Sequence, residues 1–358
     1  MFQWAPACAI QSLRSNSWLE NRPHDLILCV TDHFEPGHNR VTPQVAAGRV
    51  ESWCEKFPSL FSAFRDSDGV CPQHTFFYPL EMYQRNEVAR IADLCRAGFG
   101  EVEIHLHHQD DTSENLRRTL TDYCALLRAE HGLLCQDKTG RARYAFIHGV
   151  WALDNSQPDG SWCGVNNELD ILRETGCYAD FTLPSYPSRA QTRKINSVYY
   201  AVDDPLRPKS HDWGQNVGDG AQPANSLMLI QGPLILNFHS RKFGLIPRVE
   251  NGNLQKGQPP TPARVDLWLK ARVGVPTRPD WLFVKLYTHG APEWNQQVVL
   301  GPSMVALHEE LARRSKANSN FRYHYVTARQ MYNLVRAAEA GWKGSVNEAR
   351  EFELVWKK

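Results

Sequence analysis

Residues 101–111 read Glu-Val-Glu-Ile-His-Leu-His-His-Gln-Asp-Asp, and the reading of this stretch decides how the rest of the chain is understood. Val102 and Ile104 alternate with Glu103 and His105, a period of two that predicts a β-strand. On a strand His105 and His107 share a face, because side chains switch sides at every step. Asp110 and Asp111 then stand where the chain leaves the strand. Three of the chain's 14 histidines are thus gathered beside two carboxylates. Neighbouring imidazolium groups repel, and buried carboxylates need partners. Imidazoles and carboxylates at a strand end suit a divalent metal such as zinc. The alternative is a polar structural cluster held by ordinary hydrogen bonds.

Outward from this stretch the same form recurs. Residues 25–31 are a continuous apolar run, the pattern of a parallel strand buried on both faces, and they end at Asp32-His33. Further strands are predicted at 73–78, 143–148, 178–183, 281–287 and 321–326. Helices are predicted at 45–57, 86–97, 113–131, 167–175, 265–271, 305–317 and 328–340. Residues 227–231 and 234–239 read as two strands of a hairpin turned at Gly232-Pro233. Residues 185–223, rich in Pro, Asp, Gly and Arg, read as a long irregular excursion. Strands alternating with helices predict an α/β fold around a parallel sheet or barrel. The strands end in Asp32-His33, His107-His108, His148, Asp180, His239 and His289. Reactive groups of parallel α/β folds sit at the carboxyl ends of strands, so these endings point to one site at one mouth.

Composition narrows the classes. The 358 residues are 42% hydrophobic and 22% charged, ordinary values for a soluble globular protein, and fit two small domains or one large barrel with insertions. A net charge of +1 argues against nucleic acid or an anionic membrane as a main partner. Residues 1–17 lack the apolar core of a signal peptide, and no run approaches the ~18–20 apolar residues of a spanning helix. A cytoplasmic location is the expectation. The nine cysteines are irregularly spaced without a CxxC pair, which reads as reduced thiols and not as a disulfide framework or zinc ribbon. The 11 Trp and 12 Tyr suit stacking on sugar rings, and equally a large core.

The order of motifs resembles the polysaccharide deacetylases of carbohydrate esterase family four. Residues 30–33 (Val-Thr-Asp-His) stand in the place of that family's strand ending in paired aspartates. Residues 74–77 (His-Thr-Phe-Phe) look like its ATFF strand, and residues 97–107 like its EIGNH strand. Residues 285–289 (Lys-Leu-Tyr-Thr-His) look like its late histidine strand. The chain departs from the pattern in three places. Asp32-His33 replaces the aspartate pair, Asp111 falls where a second histidine is expected, and the RxP motif is absent, with residues 146–151 in its place. The resemblance implies a distorted (β/α)-barrel over residues 24–340 with a long insertion near 185–280, an N-terminal extension at 1–23 and a tail at 341–358. It implies a metal-dependent hydrolase that removes an acyl group from an acylated amino sugar or polysaccharide.

On that likeness a divalent metal, zinc first, is held by His107, Asp111 and one of Asp32 or His33, with His105 and His108 as alternates. Asp32 is the expected general base and His289 the expected general acid. His148, Trp151, Asp180, His239 and Arg241 are expected to line the substrate cleft, although each has an ordinary structural role available. The excursion motif His211-Asp212-Trp213 is either a lid element or a solvated loop. Two other readings stay open: a metal-dependent phosphoesterase or amidohydrolase, which also use HxH, and a glycan-binding protein without catalysis.

Overall fold

The ten residues His24–His33 form the first strand, β1, and all ten are buried. A strand covered on both faces carries the continuous apolar run seen in the sequence. The strands that follow are β2 (His74–Pro79), β3 (Gly100–Leu106), β4 (Cys135–Gln136), β5 (Ala142–His148), β6 (Cys177–Asp180) and β7 (Val198–Val202). Next come β8 (Gln215–Asn216), β9 (Ser226–Ile230), β10 (Ile235–Lys242), β11 (Ile246–Glu250), β12 (Trp281–Thr288) and β13 (Phe321–Tyr325). The computed structural model describes residues 3–15 and 17–356. Residues 1–2 and 16 of the expected extension, and 357–358 of the expected tail, lie outside the described residues.

β1 pairs with β12 on one edge and with β13 and then β2 on the other, all in parallel. The parallel order continues through β3, β5, β6 and β9. β7 joins β9 antiparallel and β8 joins β7 antiparallel. The fold is α/β around a large, mostly parallel sheet, and among the described strands the hydrogen-bonded path runs from β12 to β8 without a ladder that closes it. The hairpin expected at Gly232-Pro233 does not form. Both edges of β9 are taken by β6 and β7, and β10 pairs with β11 in a separate two-stranded sheet. The excursion at 185–223 is less irregular than its composition suggests, since it supplies β7 and β8.

Alternation along the strands sorts the core into two layers. Leu26, Leu28, Val30, Phe76, Ile104 and Phe146 pack against helices Pro43–Phe61, Arg85–Leu94, Ser113–His131, Glu168–Thr175 and Pro302–Ala317. Ile27, Cys29, Ala145, Ile147 and Phe283 face the other way, against Met331, Tyr332 and Val335 of helix Ala328–Glu339. Thr327 and Gln330 form a capping box that starts this helix. Residues 341–356 belong to the same body: Val346, Ala349 and Leu354 are buried in that second layer. Among the described residues no helix is long and apolar enough to cross a membrane.

The edge near β13 carries a titratable pairing. His324 Nε2 lies 2.8 Å from Asp25 Oδ1, and its Nδ1 lies 2.8 Å from Asp68 Oδ2. Burial opposes charging this ring, but the two carboxylates outweigh burial and raise its pKa above 6.5. A raised folded pKa gives stability that is complete below the unfolded value and is lost as pH rises through the folded one. His324→Gln is therefore expected to cost about 2 kcal/mol at about pH 6 and clearly less at about pH 9. Denaturant titrations at the two pH values check this; an equal loss at both would mean the ring is neutral in the folded protein.

Candidate metal centre

Three strand ends meet at one place. His33 closes β1, His105 is the last but one residue of β3, and His289 follows β12. Asp32 is in register with Thr288, so His33 and His289 come next as neighbours, and their rings stack with centroids 4.5 Å apart. The alternation of β1 carried two residues further puts Glu35 on the side of His33. Glu35 is buried, and its Oε1 lies 3.2 Å from His105 Nε2 and 3.2 Å from His107 Nε2. Its Oε2 lies 3.0 Å from His38 Nδ1. Three imidazoles thus converge on one carboxylate. The Trp151 ring stands 5.9 Å from both His33 and His289 and forms a wall of the site.

The charges follow from this packing. Burial would raise the pKa of Glu35, but bonds from His105, His107 and His38 override it and hold the carboxyl well below its usual range. Burial also works against charging His107, yet its contacts with Glu35 and Glu81 raise it to about 9. His33 is held well below 6.5, first by burial and then by its neighbours His289 and His105. Burial lowers His289 as well, against the opposing pull of Glu35 and Asp32. The tautomer of His105 is fixed by its surroundings. Its Nδ1 lies 2.7 Å from the Ile147 carbonyl, which only accepts, so Nδ1 carries a proton and Nε2 is the atom that faces Glu35. Donor atoms of His33, Glu35 and His105 lie within 4.8 Å of one another. Two imidazoles and a carboxylate are the donor set of an open divalent-metal site, and a carbonyl behind a ligating histidine is its usual support. The residues present fit a metal.

The residues singled out in the sequence do not all gather here. His33 and His105 do. His107 reaches the same oxygen of Glu35, but its Nδ1 is engaged by Glu81, so it links two carboxylates. Asp111 lies elsewhere: its Oδ2 is 3.1 Å from His108 Nδ1. His148 belongs to that second group, with its Nε2 2.9 Å from His108 Nε2. Asp32, expected as the base, is fully buried and its oxygens are engaged: Oδ1 accepts the Gly290 N–H at 2.6 Å, and Oδ2 lies 2.9 Å from His74 Nε2. It holds the strand ends together and is not open toward the histidines. Asp180 is also buried, capped by the N–H and hydroxyl of Thr182 at 3.0 and 2.7 Å, and burial pushes it up to about 7. His239 and Arg241 are exposed on the β10–β11 hairpin, where the Arg241 Nε donates to the Phe238 carbonyl, and they do not join the cluster.

Glu35, Glu81 and Glu168 are the partners that sequence reading missed. Glu35 left a signal, since it stands two residues after His33 on the same alternation. Glu168 left none, since it reaches His108 from 60 residues away. A cavity of about 740 Å³ is lined by Arg49, Glu293 and Gln296, and none of these histidines lines it. No protein-family model matches the chain, and no curated protein sequence matches it.

One backbone position supports the centre through space alone. A Cβ on Gly290 would lie 2.3 Å from Asp32 Oδ2 and 2.7 Å from Trp53 Cζ2, both of them fully buried side chains. Gly290→Ala is therefore expected to destabilise the protein by about 1–3 kcal/mol, the cost of overpacking. Thermal unfolding checks this. An unchanged melting temperature would mean that the Asp32–Trp53 wall yields freely.

Proposed function

We propose that this protein is a metal-dependent hydrolase that removes an acyl group from an acylated amino sugar or polysaccharide. The observation that carries the reading is the convergence of His33, Glu35 and His105 at the carboxyl ends of parallel strands, with His289 and Trp151 against them. The order of motifs that resembles carbohydrate esterase family four selects deacylation among metal-dependent hydrolyses. The matching fold is a distorted (β/α)-barrel. Two contacts support closure beyond the open ladder. A Cβ on Gly232 would lie 2.4 Å from the Lys285 carbonyl of β12, and Leu254 N–H donates to the Tyr287 carbonyl at 2.8 Å.

In this reading His33, Glu35 and His105 hold the divalent metal, zinc by donor type. When bound, such a metal supplies Lewis acidity, which polarises a carbonyl and makes water a nucleophile near neutral pH. The chain supplies the rest. His107, fixed between Glu35 and Glu81, orients the Glu35 carboxylate. His289 has no side-chain hydrogen bond among the described residues and is partly exposed beside His33, so its ring is free to pass a proton to the leaving amine. Trp151 offers an apolar face to a sugar ring, and its indole N–H has no acceptor among the described residues. Asp32 positions the strand end that carries His289 through the Gly290 N–H. A cytoplasmic setting goes with this reading and directs it to small or lipid-linked glycans.

The test is acetate release from N-acetylated oligosaccharides by zinc-loaded protein. His33→Ala and His105→Ala are expected to lose both activity and one equivalent of metal. His289→Ala is expected to keep the metal and lose about 10²–10⁴-fold in turnover. Metal-loaded protein that releases no acetate from any N-acetylated glycan would overturn the proposal.

A further inference from the structure

The residues that follow His107 build a second convergence. His108 Nε2 and His148 Nε2 lie 2.9 Å apart, and Glu168 Oε1 lies 3.2 Å from the first and 3.6 Å from the second. The side chains of His148 and Glu168 are fully buried and that of His108 is 7% exposed. Each group is fixed from behind by another partner. The Nδ1 of His148 donates to the Gly149 carbonyl at 2.6 Å, and the Nδ1 of His108 faces Asp111 at 3.1 Å. The second oxygen of Glu168 accepts the Asp154 N–H at 2.6 Å, and Asp111 Oδ1 accepts from Thr112 N–H and the Asn115 amide, each at 2.7 Å. Gly164 lies so close to the His108 ring that a Cβ there would sit 2.1 Å from its Cε1.

With both Nδ1 atoms donating outward, the inner face presents two imidazole lone pairs and a carboxylate oxygen to one another. Electron pairs this close repel unless something positive lies between them. A tetrahedral zinc with bonds of about 2.0–2.2 Å holds its ligand atoms about 3.3–3.6 Å apart, and the observed spacings of 2.9, 3.2 and 3.6 Å lie at or a few tenths of an ångström below that range. The carbonyl and the carboxylate behind the two rings are the partners that ligating histidines commonly have. We infer that His108, His148 and Glu168 form a second divalent-cation site, suited to zinc and separate from the His33–Glu35–His105 centre. Its burial leaves no approach for a substrate, so its role is structural. It ties the exit of β3, the end of β5 and the first turn of helix Glu168–Thr175 together, and these segments flank the loop that carries Trp151.

The experiment is metal analysis of the full chain after zinc loading and removal of excess, in wild type, His33→Ala, His148→Ala and Glu168→Gln. Two equivalents are expected in wild type. His148→Ala and Glu168→Gln should each lose the same one, which His33→Ala retains. One equivalent in wild type, kept by His33→Ala and lost in Glu168→Gln, would uphold this site while removing the one proposed above. Metal content unchanged in Glu168→Gln would overturn it. A second measurement does not depend on those two variants folding: in His33→Ala, zinc should raise the melting temperature and a chelator should reverse the rise. No bound zinc and no shift in His33→Ala would mean that a single proton on His108 holds the three groups together, and the inference would fail.

Discussion

A carboxylate removed from water must be compensated where it lies, and in this protein the compensation of Glu35 organises one end of the molecule. Its two oxygens are met by His105, His107 and His38. These rings come from the end of β3 and from the turn after β1, so a single buried charge fixes two chain segments against each other. A divalent metal would take up the same negative charge, and the first partners of Glu35 are themselves ligand types. The folded chain and a loaded site therefore ask for the same geometry, which is how a pre-organised centre is built.

The strand that delivers His33 is equally constrained. β1 pairs with three other strands, β12, β13 and β2. Its register with β12 sets His33 beside His289, and the Asp32–Gly290 bond fastens the two strand ends beyond the last ladder pair. Asp32 shows how a residue with a chemical look can be occupied by architecture. Both its oxygens face inward partners, and the close approach of Gly290 leaves no space for any side chain at that position.

Much of this was legible in the sequence, and the failures have physical causes. Helix 113–131 and the strands bearing His33, His105, His148 and Asp180 stand where periodicity places them, because long amphipathic and buried runs carry strong local signals. That His33 and His289 share a mouth was legible for the same reason, since strand ends of a parallel sheet lie together, whereas His107 and Asp111 were expected as ligands ahead of His105, which is the one grouped with His33. The hairpin at Gly232-Pro233 was misread because strand pairing is decided by which edges are free, a property of the whole sheet. The split of the HLHHQDD stretch into two groups was not legible. It depends on Glu35 and Glu168, and Glu168 arrives from a helix whose position no local pattern reveals.

His107 and His108 are adjacent residues that serve different groups of partners, one meeting Glu35 and Glu81, the other His148 and Glu168. The exit of β3 is therefore sensitive to its length. Gaining one residue between Ile104 and His107 would carry His107 to the place of His108, and losing one would carry His108 to the place of His107, so in each case one cluster would lose its own ring. In the history of such a chain this short segment would accept altered side chains more readily than altered length.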